Sequence, residues 1–296
     1  MNIATLYIAI VFFWGTLYYA ISFQVGAVVP EVAVVYRFAL SGILVLGWCV
    51  WRRRRLSFTW RQHLVLMVQG AMMFSLTDML LYNAIQYITS GVAALILSTL
   101  PIMNILFAAL FLGMKIRRVV LLGALIGLVG MGMVFWPELA VFDPASAGLV
   151  GFSLCLVATV SASLAQIVSA RNQRAGLPAV ETAGICMLYG AGFSTLVCLA
   201  LGRSFTWDWS GEFVLSFAYI VVICTLFSWV FYLILIGRVG PDRSSYVSIL
   251  APIVALIVST LLEDFRWTPL SLAGAAAVLC GSLLVLASFR RRAAPA

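Results

Sequence analysis

The sequence predicts an all-α integral membrane protein whose ten transmembrane helices form two inverted five-helix repeats. Of the 296 residues, 64% are hydrophobic and 9% are charged, whereas soluble domains are about half apolar and about a quarter charged. Apolar stretches long enough to cross the ~30 Å hydrocarbon core of a bilayer recur ten times. The second half of the chain also repeats features of the first half, so composition, stretch length and repetition all favour this fold.

Short connections that carry charged or turn-forming residues separate the ten apolar stretches, which we call spans one to ten. Examples are RRRRLSFTWR, KIRR and GRVGPDRS. The first stretch lacks the basic segment of a signal peptide and is longer than a signal peptide's apolar core, so we expect it to remain as the first span. The spans cover residues 3–24, 32–51, 64–85, 91–112, 119–136, 148–170, 179–201, 213–236, 244–262 and 269–289.

The basic residues lie almost entirely on one predicted side of the membrane. Among the eighteen Lys and Arg residues, only Arg37, Arg203 and Arg266 fall outside the connections and tail expected on that side. The positive-inside rule therefore predicts cytoplasmic N- and C-termini for a multi-pass protein of a bacterial inner membrane. This placement accounts for the net charge of +8. We expect the lipid bilayer and a small-molecule substrate as partners, and no nucleic acid.

An internal repeat relates residues 1–143 to residues 144–296. A shift of 151 residues places Pro101 on Pro252 and Gly130 on Gly281. Because each copy holds five spans, the second copy must enter the membrane from the opposite side. Inverted repeats of this kind are typical of secondary transporters, in which two related halves expose one central site to each side in turn.

The matched prolines lie inside the fourth and ninth spans. Proline lacks a backbone N–H and removes one helical hydrogen bond. We expect Pro101 and Pro252 to bend their spans at equivalent depths, which would free the carbonyls of Leu97 and Ser248 beside a cavity. The alternative is that neighbouring groups restore the lost bonds and that the prolines are simply tolerated.

Two charged residues, Arg37 and Asp78, lie at membrane depth in the second and third spans. Charges at this depth are costly and rarely face lipid. We expect them to form an ion pair that braces the outer half of the protein or gates it. The alternative is that Asp78 binds a proton or the substrate.

Polar and aromatic residues also form stripes at helical spacing on the third, sixth and eighth spans. The three faces could enclose a polar and aromatic chamber; alternatively, Ser and Thr bond to their own helices and the aromatic residues belong to the membrane interface. Trp14 and Trp229 fall near the middle of their spans, away from any interface. The predicted substrate-binding residues are Trp14, Tyr18, Ser75, Asp78, Tyr82, Pro101, Asn104, Ser163, Gln166, Trp229, Tyr232, Tyr246 and Pro252.

Other residues indicate packing and no cofactor chemistry. The fifth and tenth spans are rich in Gly and Ala, which let helices approach closely within the chain or between chains, so we expect a monomer or a homodimer. The six cysteines lie inside spans without C-x-x-C spacing, and His63 is the only histidine. We therefore expect no metal and no cofactor, and no phosphate-binding loop is present.

The segment ALILSTLPIMNILFAALFLGMKIRRVVLLGALIGLVG (94–130) resembles the signature half of ten-span EamA-type members of the drug/metabolite transporter superfamily. The segment 247–281 repeats it. The chain departs from the family pattern at Met114, where members commonly carry Glu. Within the superfamily the aromatic-rich spans most resemble bacterial exporters of aromatic amino acids, so the resemblance implies efflux of such compounds by alternating access.

Alternative functions remain open from the sequence. The chain could export other metabolites or cationic drugs, form a channel, or act as a membrane-embedded enzyme. An enzyme is disfavoured because such catalysts usually need clustered His, Asp or Glu, and the spans hold one buried acid and no buried histidine. The sequence thus predicts a transporter and no enzyme.

Overall fold

Every element of secondary structure in the described part of the chain is helical. The structure is a computed structural model that describes residues 2–112, 118–134, 136, 147–229, 231–232, 235, 247–263 and 267–290. Helices lie in each of the ten predicted spans. Six are long and apolar enough to cross a membrane, and four shorter apolar helices follow at Leu121–Val134, Gly211–Phe227, Leu250–Leu262 and Pro269–Gly281. The chain is a multi-pass membrane protein, and the number of ten crossings remains a prediction.

The helices begin where the sequence offers caps. Asn2 accepts a hydrogen bond from Thr5 N ahead of the first span, and a capping box of Thr59 and Gln62 opens the third, which satisfies backbone N–H groups that have no partner inside the helix. The described helices are Ile3–Ser22, Pro30–Trp51, Trp60–Ala71, Thr77–Ala84, Ser90–Leu97, Leu100–Leu112, Arg118–Val134, Ala147–Arg174, Ala179–Ala200, Gly211–Ala218, Val247–Leu262 and Pro269–Arg290.

The third and eighth spans each contain a π-helical segment. The segments are Met72–Leu76 and Tyr219–Phe227, and a shift of 150 residues places the first inside the second. Side-chain hydroxyls bond five residues back at both places: Thr77 donates to the carbonyl of Met72 at 2.7 Å and Thr225 to that of Ile220 at 2.9 Å. Such segments are rare and frequently lie at functional sites.

The two proline-containing spans differ. The fourth span is interrupted at Ser98 and Thr99, between helices Ser90–Leu97 and Leu100–Leu112. Pro101 is the second residue of the latter helix. In contrast, the helix Val247–Leu262 runs continuously through Pro252. The fourth span is therefore interrupted close to Pro101, where a bend was expected. The ninth span shows no interruption at Pro252.

Most of the main helix packing pairs map onto themselves or onto another pair when every span is exchanged with the span five places along the chain. The second span packs on the seventh, the fourth on the ninth and the fifth on the tenth. The pair of the first and ninth spans corresponds to that of the sixth and fourth, and the pair of the first and eighth to that of the sixth and third. The pair of the second and eighth corresponds to that of the seventh and third. The expected boundary at residues 143 and 144 lies outside the described residues.

The small-residue faces of the fifth and tenth spans meet within the chain. A Cβ atom built at Gly130 would lie 2.6 Å from the carbonyl oxygen of Gly274, and one built at Gly274 would lie 2.6 Å from that of Gly130. Only glycine permits this mutual approach of the two backbones. The two spans therefore pack against each other within the chain, and the choice between a monomer and a homodimer stays a prediction.

Candidate functional site

Arg37 and Asp78 form a buried ion pair between the second and third spans. Arg37 Nη1 donates to Asp78 Oδ1 at 2.8 Å, and the two side chains are 6% and 13% exposed. The guanidinium also lies over the ring of Phe38, with 4.7 Å between the Cζ atom and the ring centroid. A charge at this depth needs an opposite partner because the surroundings solvate it poorly.

The eighth span contributes to the same pair. Arg37 Nε donates to Thr225 Oγ1 at 3.4 Å, and Thr225 lies in the π-helical segment Tyr219–Phe227. The guanidinium therefore connects the second and third spans, which belong to the first half of the chain, to the eighth span, which belongs to the second half. Tyr18 of the first span is half-buried and packs against the main hydrophobic core.

Tyr82 lies one turn further along the third span and is 1% exposed. Its hydroxyl donates to Gln24 Oε1 at 3.1 Å. Gln24 is also 1% exposed, and its Nε2 has no hydrogen-bond partner among the described residues. Sequence reasoning missed Gln24, whose only signal is an amide at the end of an apolar stretch.

A hydrogen-bonded group of three polar residues joins the fourth and sixth spans. Asn104 Nδ2 donates to Gln166 Oε1 at 2.8 Å, and Asn104 Oδ1 accepts from Ser163 Oγ at 2.7 Å. Asn104 and Gln166 are half-buried, whereas Ser163 is fully buried. The structure thus brings together three residues that the sequence placed on two separate helices.

An aromatic group joins the first and eighth spans. The ring centroids of Trp14 and Tyr232 lie 5.2 Å apart, and those of Trp229 and Tyr232 lie 6.4 Å apart at a T-shaped angle. All three side chains are half-buried. Half-buried aromatic surface of this kind offers a planar ligand both apolar area and ring faces.

The remaining predicted site residues have other surroundings. Ser75 is fully buried and its hydroxyl accepts a hydrogen bond from Ser194 of the seventh span at 2.7 Å, so it contributes to helix packing. Pro252 is buried in the ninth span. Tyr246 and the side chain of Pro101 lie outside the described residues.

The hydrogen bonds of two carboxylates at the ends of spans, the half-buried Glu263 and the buried Glu31, were not predicted. Glu263 Oε2 accepts hydrogen bonds from Ser90 N at 3.0 Å and Ser90 Oγ at 2.7 Å, and so caps the first turn of the fourth span from the end of the ninth. Asn83 Nδ2 donates to Glu31 Oε1 at 3.4 Å on the same predicted outer side. Their signal in the sequence is an acidic residue at the end of an apolar run, which is not specific.

No group of three or more His, Cys, Asp or Glu residues that could hold a metal ion occurs in the described ranges. The predicted site residues in these ranges form a charge pair, a hydrogen-bonded group of two amides and a hydroxyl, and an aromatic group. Such groups can bind and orient a small molecule that carries charges at one end and an apolar ring at the other.

Comparison with known proteins identifies one family and several transporters of similar sequence. The model of the EamA-like transporter family matches residues 1–136 and 149–287. The chain is 26% identical over 278 residues to the "Uncharacterized inner membrane transporter YedA" of Escherichia coli strain K12, which covers 92% of this chain and 88% of that protein. It is 23% identical over 274 residues to an "Uncharacterized transporter" of Archaeoglobus fulgidus, with 93% and 95% covered.

A solved structure has the same fold. The similarity to one crystal structure reaches a TM-score of 0.69 at 21% sequence identity and covers 99% of both chains. At this identity the likeness concerns the fold alone.

Proposed function

Because this chain belongs to the EamA-like transporter family, we propose that it is a secondary transporter that exports small amphipathic metabolites, in particular aromatic amino acids, by alternating access. We also propose that it resides in a bacterial inner membrane, as the printed name of its Escherichia coli relative says of that protein. Both termini lie in the cytoplasm in this proposal, in keeping with the distribution of Lys and Arg.

The observation that carries the choice of substrate is the aromatic group of Trp14, Trp229 and Tyr232. These side chains are half-buried, and Trp14 and Trp229 fall near the predicted middle of their spans, away from the membrane interface. The eighth span supplies both Trp229 and Thr225, which bonds to Arg37, so an aromatic surface and a charge pair occur one helical turn apart. An aromatic amino acid likewise carries a charged end and an aromatic ring a short distance apart.

Three features support alternating access. The same family model matches both halves of the chain, the main helix pairs interchange when the halves are exchanged, and π-helical segments occur at equivalent places. A protein built in this way can adopt two related conformations that differ in which side is closed.

The distribution of buried residues supports a state that is closed on the predicted outer side. Arg37 and Tyr82, which lie in the outer half, are nearly inaccessible, and the bonds of Glu263 to Ser90 join the outer ends of the fourth and ninth spans. Trp14 and Asn104, which lie nearer the cytoplasm, are half-buried. A substrate would then enter from the cytoplasm, as export requires.

The proposed function is tested by transport with the purified protein in liposomes. Labelled phenylalanine, tyrosine, tryptophan, a purine and a cationic drug are each measured with and without a pH gradient. We expect saturable flux of the aromatic amino acids, reduced at least about tenfold in Trp229→Ala because a large ring contact is lost. Trp209→Ala is the matched control, since this side chain is 83% exposed.

Two outcomes would contradict the proposal. Flux that is restricted to the purine or the cationic drug would assign another substrate class within the same family. Flux that rises linearly with substrate concentration without saturation would indicate a pore.

A further inference from the structure

We propose that the Arg37–Asp78 pair is a binding site for the two charges of an amino acid zwitterion, in which the substrate's carboxylate binds Arg37 and its ammonium binds Asp78. The inference rests on the proposed function and extends it, because it names the part of the substrate that is recognised. The ion pair then opens to admit the ligand, and each of its members exchanges one oppositely charged partner for another.

Charge balance is the first argument. The guanidinium and the carboxylate contact at 2.8 Å and are almost inaccessible, so their charges cancel in a poorly solvating environment. A zwitterion brings one charge of each sign, and its insertion leaves every buried charge paired. A ligand with only an ammonium would leave Arg37 without a counterion, and a ligand with only a carboxylate would leave Asp78 without one. Uncompensated buried charges are strongly unfavourable.

The geometry of the guanidinium is the second argument. Arg37 Nε is held by Thr225 Oγ1 at 3.4 Å and the ring of Phe38 lies against the Cζ atom. These contacts keep the guanidinium in place when Asp78 moves away. Arginine presents a planar fork of donors that matches a carboxylate, so the held group is suited to receive the carboxylate of a substrate.

The position of the aromatic group is the third argument. Trp229 follows Thr225 by four residues on the eighth span, and Thr225 contacts Arg37. Trp229 therefore lies about one turn, ~5–6 Å along the axis, to the predicted cytoplasmic side of this contact. Trp14 of the first span joins the same aromatic group through Tyr232. The offset of Trp229 is comparable to the distance from the charged groups of an aromatic amino acid to its ring.

A purely structural brace predicts something different. A brace would tolerate any ligand of suitable shape, since its two charges would remain bonded to each other. If the pair were only a brace, removal of Arg37 or of Asp78 would also weaken the binding of all ligands by the same factor. The charge of the ligand is therefore the property that separates the two roles.

The test measures binding of three ligands to the full-length protein in detergent micelles, by the dependence of its unfolding temperature on ligand concentration. The ligands are phenylalanine, phenethylamine, which lacks the carboxylate, and 3-phenylpropionate, which lacks the ammonium. We expect phenylalanine to bind about 100-fold more tightly than either analogue, because each analogue leaves one buried charge unpaired. Equal binding of all three ligands by the wild-type protein would overturn the inference.

Two variants give a second readout that a brace would not produce. Arg37→Gln removes the partner of the carboxylate, so phenethylamine should bind this variant at least as well as phenylalanine. Asp78→Asn removes the partner of the ammonium, so 3-phenylpropionate should be preferred. A loss of affinity that is the same for all three ligands in both variants would contradict the inference. If either variant fails to fold, the wild-type series decides the question alone.

Failure of this inference can be told apart from failure of the proposed function. Saturable phenylalanine flux in liposomes together with equal binding of the three ligands would refute only the zwitterion site. Absence of both phenylalanine flux and phenylalanine binding would refute the zwitterion site and the export of aromatic amino acids together.

Discussion

At the scale of single residues, the buried polar side chains hold one span to another. Asn172 Nδ2 donates to Gln69 Oε1 at 2.7 Å between the sixth and third spans, and Glu263 binds Ser90 between the ninth and fourth. Interhelical hydrogen bonds in membranes are individually modest, on the order of 0.6–2 kcal/mol. Glu263 accepts two hydrogen bonds at a helix N-terminus. We expect its stabilisation to lie toward the upper end of this energy range, because its charge also interacts favourably with the helix dipole.

The bonds of Glu263 give a prediction at this scale. Thr89 is the N-cap residue of the helix Ser90–Leu97, but its hydroxyl makes no cap bond, so Glu263 serves as the cap. Glu263→Ala should lower the free energy of unfolding by about 1–2 kcal/mol, measured by SDS-induced unfolding in mixed micelles. Thr89→Ala is the control and should leave it nearly unchanged. Equal losses in the two variants would contradict the assignment of the cap.

The sequence predicted some of these residues and missed others for a physical reason. The nearness of Arg37 and Asp78 could be anticipated because isolated charges in apolar helices need each other. Gln24, Glu31 and Glu263 lie at the ends of spans, where polar residues are ordinary. Only the packing of helices distant in sequence determines which partners their side chains bond to.

At the scale of helices, the two π-helical segments could not be predicted from the sequence. The spacing of Ser75, Asp78 and Tyr82 fitted an α-helical stripe, and the same was true of the eighth span. The segment Met72–Leu76 changes the local period, and the structure places Ser75 against the seventh span and Asp78 against the second. The interruption of the fourth span was expected from Pro101, whereas the continuity of the ninth span through Pro252 was not.

The hydroxyls that bond five residues back provide the prediction at this scale. Thr77→Val and Thr225→Val each remove one bond to a backbone carbonyl, at Met72 and Ile220 respectively. Both should lower the free energy of unfolding by about 1 kcal/mol. Thr225→Val should in addition reduce phenylalanine flux in liposomes, since Thr225 also holds Arg37. Equal flux in the two variants after correction for the amount of folded protein would contradict a separate role for Thr225.

At the scale of the whole molecule, several packing pairs interchange between the halves, and the inverted repeat itself stays a prediction. The composition and the length of the apolar stretches were enough to predict a membrane-spanning helical fold, and the family match agrees. Which helices touch could not be read from the sequence, because an apolar face contacts lipid or another helix with similar ease. The close contact of Gly130 with Gly274 is an interface of this kind.

This interface gives the prediction at the scale of the molecule. Gly130→Val places a side chain where a Cβ atom would lie 2.6 Å from the carbonyl oxygen of Gly274. The fifth and tenth spans must then separate, and the free energy of unfolding should fall by about 1–3 kcal/mol. Gly132→Val lies two residues away, where a Cβ atom would meet nothing within 4 Å, and should be tolerated. Similar unfolding curves for the two variants would show that the two spans do not pack as described.

The most direct test of the central claim is counterflow in liposomes. Vesicles that contain the purified protein are loaded with unlabelled phenylalanine and diluted into a trace of labelled phenylalanine. A carrier with one site that alternates between the two sides predicts a transient accumulation of label inside, above its outside concentration, which vesicles without protein do not show. Label that only equilibrates, at a rate independent of the unlabelled phenylalanine inside, would contradict alternating access.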